Sequence, residues 1–139
     1  MKVLISARID TQQVRRLEDN GFTVKLGGFG QTGVKLDEDS FIQELSSADI
    51  AIFEFENMSE RALKSSSHLK VIACLRNEPG ASTDIAAATQ LNIPVLFTPG
   101  RNAVAVAEYT LGLMLSIARS IPTTHHLLRY TDELTAVTY

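Results

Sequence analysis

Residues 76–82 read Arg-Asn-Glu-Pro-Gly-Ala-Ser. Arg76 brings a fixed cation whose two-pronged guanidinium can clasp a carboxylate, and Gly80 can let the backbone approach a bound molecule closely. A structural ion pair with Glu78 or Asp84 is the alternative for Arg76, and chemistry alone leaves both open. Asn102 follows Gly100 and Arg101 where a long apolar stretch begins. Asn is a strong helix cap, so a capping role is expected of it whatever else it does.

Other groups offer less. Glu54 and Glu56 lie two apart, and paired carboxylates can share a proton or hold a cation. No His or Asp stands near them in sequence to complete a metal set, so solvated charges at a strand end are the preferred reading. Gly27, Gly28 and Gly30 fall within four positions. A phosphate cradle would need a helix directly after them, and none is expected, so a flexible connection is the reading. His125 and His126 are adjacent and lack the i, i+4 spacing of a metal pair, which leaves surface or interface roles. Cys74, inside VIACL, suits a small buried apolar side chain and has no base beside it for catalysis.

The elements that must position these residues alternate. KVLIS (2–6) predicts a buried strand, and TQQVRRLEDNG (11–21) a helix with Thr11 as cap and Gly21 as stop. FTVKLGG (22–28) alternates like a half-exposed strand, and DEDSFIQELSSA follows the Gly-rich loop as a helix. DIAIFEF (49–55), LKVIACL (69–75) and IPVLFT (93–98) are further strands, separated by helices over NMSERALKSSSH and DIAAATQLN. Val- and Ile-rich strands separated by helices argue for a doubly wound parallel sheet with helices on both faces. Ligands bind such sheets outside the carboxyl ends of the strands, which directs attention to residues 7–10, 54–57, 76–82 and 98–102. The stretch 98–122 predicts a helix apolar on every side, which must be covered by something.

Composition excludes several classes. The 139 residues, 45% hydrophobic and 21% charged, suit one globular domain. A formal net charge of -3 with scattered Lys and Arg leaves no basic surplus for nucleic acid. The apolar helix has roughly 17 mainly apolar residues interrupted by Glu108, short of the ~20 needed to cross a membrane, so no membrane association is expected. The N-terminus lacks the long apolar core of a signal peptide. Cys74 is the single cysteine, which rules out an intrachain disulfide and makes the cytoplasm the expected location.

Residues 68–129 resemble the NAD-dependent D-2-hydroxyacid dehydrogenase family, which includes phosphoglycerate dehydrogenases. The resemblance is carried by LKVI before a loop, Asp84 before AAAT, the NIPV strand, and TPGRNAVAVAE followed by an apolar helix ending in AR. The last segment is the most specific. ADIAIFEFENMSERAL extends the similarity upstream, and it is weak before Ala48.

The resemblance implies a flavodoxin-like substrate-binding domain over residues 1–101, an interdomain and dimerisation helix over 102–121, and over 122–139 the start of a connection to an NAD-binding Rossmann domain. It implies NAD as cofactor of the whole enzyme and a small carboxylate substrate contacted by Arg76, Asn77, Glu78, Gly80 and Asn102. It implies a homodimer through Ala103 to Arg119, which would explain the all-round apolar helix. No GxGxxG follows a strand here, and no position matches the family's catalytic Arg, Glu or His. No catalytic, cofactor-binding or metal residue is therefore assigned, and the chain is expected to be a truncated product inactive by itself. Family members commonly place small residues where Glu78 and Pro79 stand and hold the carboxylate with backbone N–H groups. Pro79 has none, so the donors shift to Gly80 and Ala81 or the substrate differs. A non-catalytic binding or dimerisation module with the same fold is the alternative. A signalling receiver domain would need acidic residues that SARID and FEFEN do not supply.

Overall fold

A computed structural model describes residues 1–130; the end of the expected interdomain connection, residues 131–139, lies outside them. The chain divides into two compact units, Met1–Pro99 and Gly100–Tyr139.

The first unit is a five-stranded parallel sheet in the order β2-β1-β3-β4-β5. Its strands are β1 (Lys2–Ile5), β2 (Thr23–Leu26), β3 (Ile50–Phe53), β4 (Val71–Cys74) and β5 (Val95–Phe97). The helices between them are α1 (Thr11–Asp19), α2 (Gly28–Thr32), α3 (Glu38–Leu45), α4 (Glu60–Ser65) and α5 (Ile85–Gln90). The second unit contains α6 (Ala103–Ala118) and α7 (Ile121–Tyr130).

Alternation along each strand divides the core into two layers. Leu4, Ala51, Phe53, Ile72 and Cys74 pack with Phe41 and Leu45 of α3, Ala62 and Leu63 of α4, and Ala87 and Ala88 of α5. Val3 and Ile5 point the other way, toward Leu17 of α1, with Ile50 and Ile52 half-buried beside them. The doubly wound sheet expected from the strand and helix alternation is the observed one.

Four helices start on a side chain that accepts a backbone N–H, satisfying a donor the first turn cannot use. Asp10 accepts from Gln12, Asp37 from Ser40, Ser59 from Ala62 and Asp84 from Ala87, at 2.8–3.1 Å. The cap of α1 is thus Asp10 rather than Thr11. Asn102 does occupy the N-cap position of α6, but its side chain makes no capping hydrogen bond. Its backbone, at φ -116° and ψ 10°, is not the extended form that folds an N-cap side chain over the first turn. The Asn102 carbonyl instead accepts from Val106 N–H at 2.9 Å.

The Gly-rich loop is also different from the flexible connection expected. It forms α2, anchored where β1 ends: Gly27 N–H donates to the Ile5 carbonyl at 2.9 Å and Gly30 N–H to the Ser6 carbonyl at 2.7 Å. A Cβ on Gly30 would lie 2.2 Å from the Ala7 carbonyl oxygen, and one on Gly28, whose φ is +52°, would lie 2.6 Å from Glu56 Oε1. Close approach, not flexibility, is what these glycines supply.

Glu56 itself is fully buried. Its Oε2 accepts from Ser6 Oγ at 2.9 Å and its Oε1 from Phe29 N–H at 3.0 Å. The carboxyl group thereby joins the ends of β1 and β3 to the start of α2. Glu54 is buried too, at 7% exposure. The reading of the pair as solvated strand-end charges is corrected on both counts: the chain turns inward after Phe53, and Glu56 finds its partners 50 and 27 residues away in sequence.

Asp49, Glu38 and Asp37 of this unit have pKa values lowered by their partners. Lys70 Nζ at 2.9 Å from Asp49, followed by the Lys2 N–H, lowers the Asp49 pKa. The Ser59 hydroxyl and then Arg61 lower that of Glu38, and Ser40 that of Asp37.

These contacts set measurable expectations. Gly30→Ala should cost ~1–3 kcal/mol in urea unfolding because backbone must move, whereas Gly80→Ala, whose Cβ meets open space, should change stability by less than about 0.5 kcal/mol. Glu56→Ala should cost at least as much as Gly30→Ala, since it strands a hydroxyl and an N–H donor. Because the three carboxylates have folded-state pKa values below their unfolded ones, their contribution is present above about pH 4 and lost as pH falls through the lower folded values. Asp49→Asn should therefore lower the urea midpoint at pH 7, with the difference from the parent chain closing as pH falls through the lowered folded value.

Candidate functional site

Parallel pairing brings every strand's carboxyl end to one edge, and the chain leaves β1 in one direction and β3 in the other. The crevice between β1 and β3 is where sheets of this kind receive ligands. Here Ser6, Glu56 and the start of α2 fill its floor, as described above.

Four side chains converge over that floor. The rings of Phe29 and Phe55 meet edge to face with centroids 4.3 Å apart and planes at 62°. The Arg8 guanidinium carbon stands 5.4 Å from the Phe29 centroid and that of Arg76 5.2 Å from the Phe55 centroid. Each cation is attracted by the electron-rich face of its ring. These residues follow β1, β2, β3 and β4 in turn. Glu56, by holding Phe29 N–H, fixes the ring that Arg8 covers.

The loop after β4 is anchored at both ends. Leu75 N–H donates to the Phe53 carbonyl at 2.8 Å, and the Arg76 carbonyl accepts from Thr98 at 3.3 Å. At the far end, Met58 N–H donates to the Ser82 carbonyl at 2.8 Å and the Met58 carbonyl accepts from Asp84 N–H at 2.9 Å. Cys74 Sγ lies 3.1 Å from Ser82 Oγ, buried as its sequence context suggested. Between the anchors, Pro79–Ala81 makes one 3-10 turn, closed by Ser82 N–H on the Pro79 carbonyl at 3.1 Å. The N–H groups of Gly80 and Ala81 stand at the start of that turn, where a helix has no acceptor of its own.

The structure thus brings Arg76, Asn77, Glu78 and Gly80 into one tethered loop; Arg76 is half-buried and the other three are exposed. Asn102 lies in the second unit. Of the two roles open for Arg76, the ion pair is not made: among the described residues neither Glu78 nor Asp84 bridges it, and Asp84 is occupied capping α5. Sequence reasoning does not single out Arg8, Phe29 or Phe55. The available signal was the position of Arg8 and Phe55 in connections at the carboxyl edge.

Among the described residues no His, Cys, Asp and Glu cluster could hold a metal. His125 and His126 lie on α7, where His126 packs on Tyr130 with ring centroids 5.4 Å apart. Among the described residues, the Gly-rich segment 27–30 does not fit the pyrophosphate of NAD: it is packed against Ala7 and Glu56, which leaves no room for that group and would set a carboxyl group beside it.

The family model described as D-isomer specific 2-hydroxyacid dehydrogenase, catalytic domain, matches residues 3–138. The YoaD protein of Bacillus subtilis is 30% identical over 131 residues, 93% of this chain but 38% of that protein. Among solved structures, the TT0316 protein of Thermus thermophilus is similar over the whole chain and 43% of its own, with a TM-score of 0.80 and 26% identity. The 3-phosphoglycerate dehydrogenase of Entamoeba histolytica, solved with NAD+ bound, is similar over 84% of this chain and 38% of its own, with a TM-score of 0.67 and 25% identity. The chain therefore spans less than half the length of each of these relatives. With its flavodoxin-like parallel sheet and a match running from Val3 to Thr138, this chain belongs to the D-isomer specific 2-hydroxyacid dehydrogenase family.

Proposed function

We propose that residues 1–101 are the substrate-binding domain of an NAD-dependent D-2-hydroxyacid dehydrogenase. The whole enzyme would move a hydride from the hydroxyl-bearing carbon of a 2-hydroxy acid to the nicotinamide, leaving a 2-oxo acid and a proton. In this reading, positioning of the small carboxylate substrate belongs to this chain, and cofactor binding and acid-base chemistry to a Rossmann domain joined through residues 122–139. The observation that carries it is Arg76, a guanidinium at the carboxyl end of β4 that rests on Phe55 and meets no protein carboxylate among the described residues. Asn77, Glu78 and Gly80 complete the loop around it. The assignment of Asn102 to the substrate rests on the resemblance of TPGRNAVAVAE alone. NAD as cofactor of the whole enzyme, and a cytoplasmic setting, are the expectations that go with the family and the single buried cysteine.

Titration of the isotope-labelled chain with D-lactate should move the amide signals of Arg76, Asn77 and Gly80, and Arg76→Gln should abolish the response. NAD should move none, and no oxidation of the acid should appear. Silence of the loop with D-lactate, or turnover by the 139-residue chain, would contradict the assignment.

We propose further that Ala103 to Arg119 forms the core of a homodimer. The helix α6 has no buried residue, and Val104, Leu115 and Ile117 are 72%, 63% and 76% exposed. No single helix among the described residues is long and apolar enough to cross a membrane; α6 and α7 reach that length and composition only as a pair bent by 63°. Leaving several such side chains in water costs ~1.5–3 kcal/mol each, and a self-complementary face about a two-fold axis removes that cost. Nothing lies within 4 Å of a Cβ on Gly112, so a second helix can approach closely there. Light scattering at ~100 μM should give the dimer mass, since specific association reaches ~1 μM at about -8 kcal/mol. Leu113→Asp should give monomer or aggregate, and a monodisperse monomer of the parent chain would refute the dimer.

A further inference from the structure

We propose that Phe55 is a positioning residue for substrate binding: its ring face supports the flat side of the Arg76 guanidinium and keeps the in-plane N–H donors presented to the ligand. The proposal rests on the substrate reading above and adds to it a residue that acts through Arg76. Strand register makes the two neighbours. Phe53 of β3 pairs with Cys74 of β4, and Phe55 and Arg76 each stand two residues further on. The bond from Leu75 N–H to the Phe53 carbonyl carries the pairing past the strand ends. There the Arg76 guanidinium carbon lies over the Phe55 ring, 5.2 Å from its centroid.

The kind of support matters. Lys25, Arg61, Lys64 and Lys70 each pair with a carboxylate of this chain. Such a partner would take the in-plane donors of a guanidinium, which are the ones a bidentate substrate carboxylate needs. A ring face covers the flat side and uses none of the five N–H donors. Stacking and carboxylate binding are therefore compatible, and the first prepares the second. The platform is itself fixed. Phe55 is 37% exposed, yet its neighbours Glu54 and Glu56 are buried, which holds the backbone on both sides of it. The Phe29 ring meets it edge to face, and Glu56 in turn holds Phe29 N–H. A leucine in place of Phe55 would fill much of the space and offer no electron-rich face. Released from the ring, Arg76 would divide its time among rotamers, and apparent affinity falls with the fraction that remains competent to bind.

Titration with D-lactate, followed through the amides of Asn77 and Gly80, tests the role. In the free parent chain the ring current of Phe55 should shift the Arg76 side-chain proton signals upfield. Phe55→Leu should remove that shift and weaken D-lactate binding about fivefold, whereas Phe55→Tyr and Phe55→Trp should keep both. Mono-, di- and pentafluorinated phenylalanine at position 55 keep the outline of the ring while draining its face of negative charge. Affinity should fall stepwise along that series, an effect a space-filling side chain would not give. Dispersion of the amide spectrum verifies that each variant folds. If D-lactate moves the loop of the parent chain but Phe55→Leu binds equally well, or the fluorinated series is flat, the positioning role is refuted and the substrate reading stands. If D-lactate moves no loop amide of the parent chain, both fall.

Discussion

The carboxyl edge of this sheet is organised by one buried group. Glu56 accepts from Ser6 at the end of β1 and from Phe29 at the start of α2, while belonging itself to the segment that leaves β3. A buried carboxyl group is costly unless hydrogen-bonded, so its two donors are obligatory rather than optional. Meeting that demand forces α2 against the sheet, and the glycines at 28 and 30 are what allow the approach. The ring of Phe29 is then carried to Phe55, and the cations above both rings acquire their places. The arrangement of the site follows from satisfying a group buried beneath it.

Much of this architecture is readable in the amino-acid order. The alternation of KVLI, IAIF and VIAC with polar, capped helices predicts a parallel sheet, because residues that must be covered on both faces leave no polar side. The loop after β4 is equally legible, since an arginine before Pro-Gly at a strand's carboxyl end combines a charge with a bend. The carboxylates at 54 and 56 are not, because burial of an acid is decided by partners far away in sequence. Ser6 carries no local mark that it will donate to Glu56. The glycines mislead for a related reason: spacing alone does not distinguish a loop that must bend from one that must lie close to a neighbouring carbonyl. Asn102 occupies the cap position its residue type predicts, yet the backbone angles there deny its side chain the capping bond.

The same Gly-rich segment separates this fold from nucleotide-binding folds of similar outline. A phosphate site needs open N–H groups at a helix start. In α2 the N–H of Phe29 is given to Glu56 and that of Gly30 to Ser6, so the place where an anion would sit is already occupied by the protein's own acceptors. In the proposed reading, recognition of a small carboxylate falls instead to the Arg76 guanidinium above the crevice, clear of the sheet's own hydrogen bonds.

The division of the chain at Pro99 bears on the order of events during synthesis. All five strands and both core layers lie in the contiguous segment Met1–Pro99, so this unit holds every contact it needs before α6 has been made. Domains fold N-terminal first as translation proceeds at about 5–20 residues per second. The apolar helix is thus made after the whole segment that supplies the sheet and its core. If α6 pairs with a second copy as proposed, this sequence order makes its apolar surface available only after the segment that builds the core.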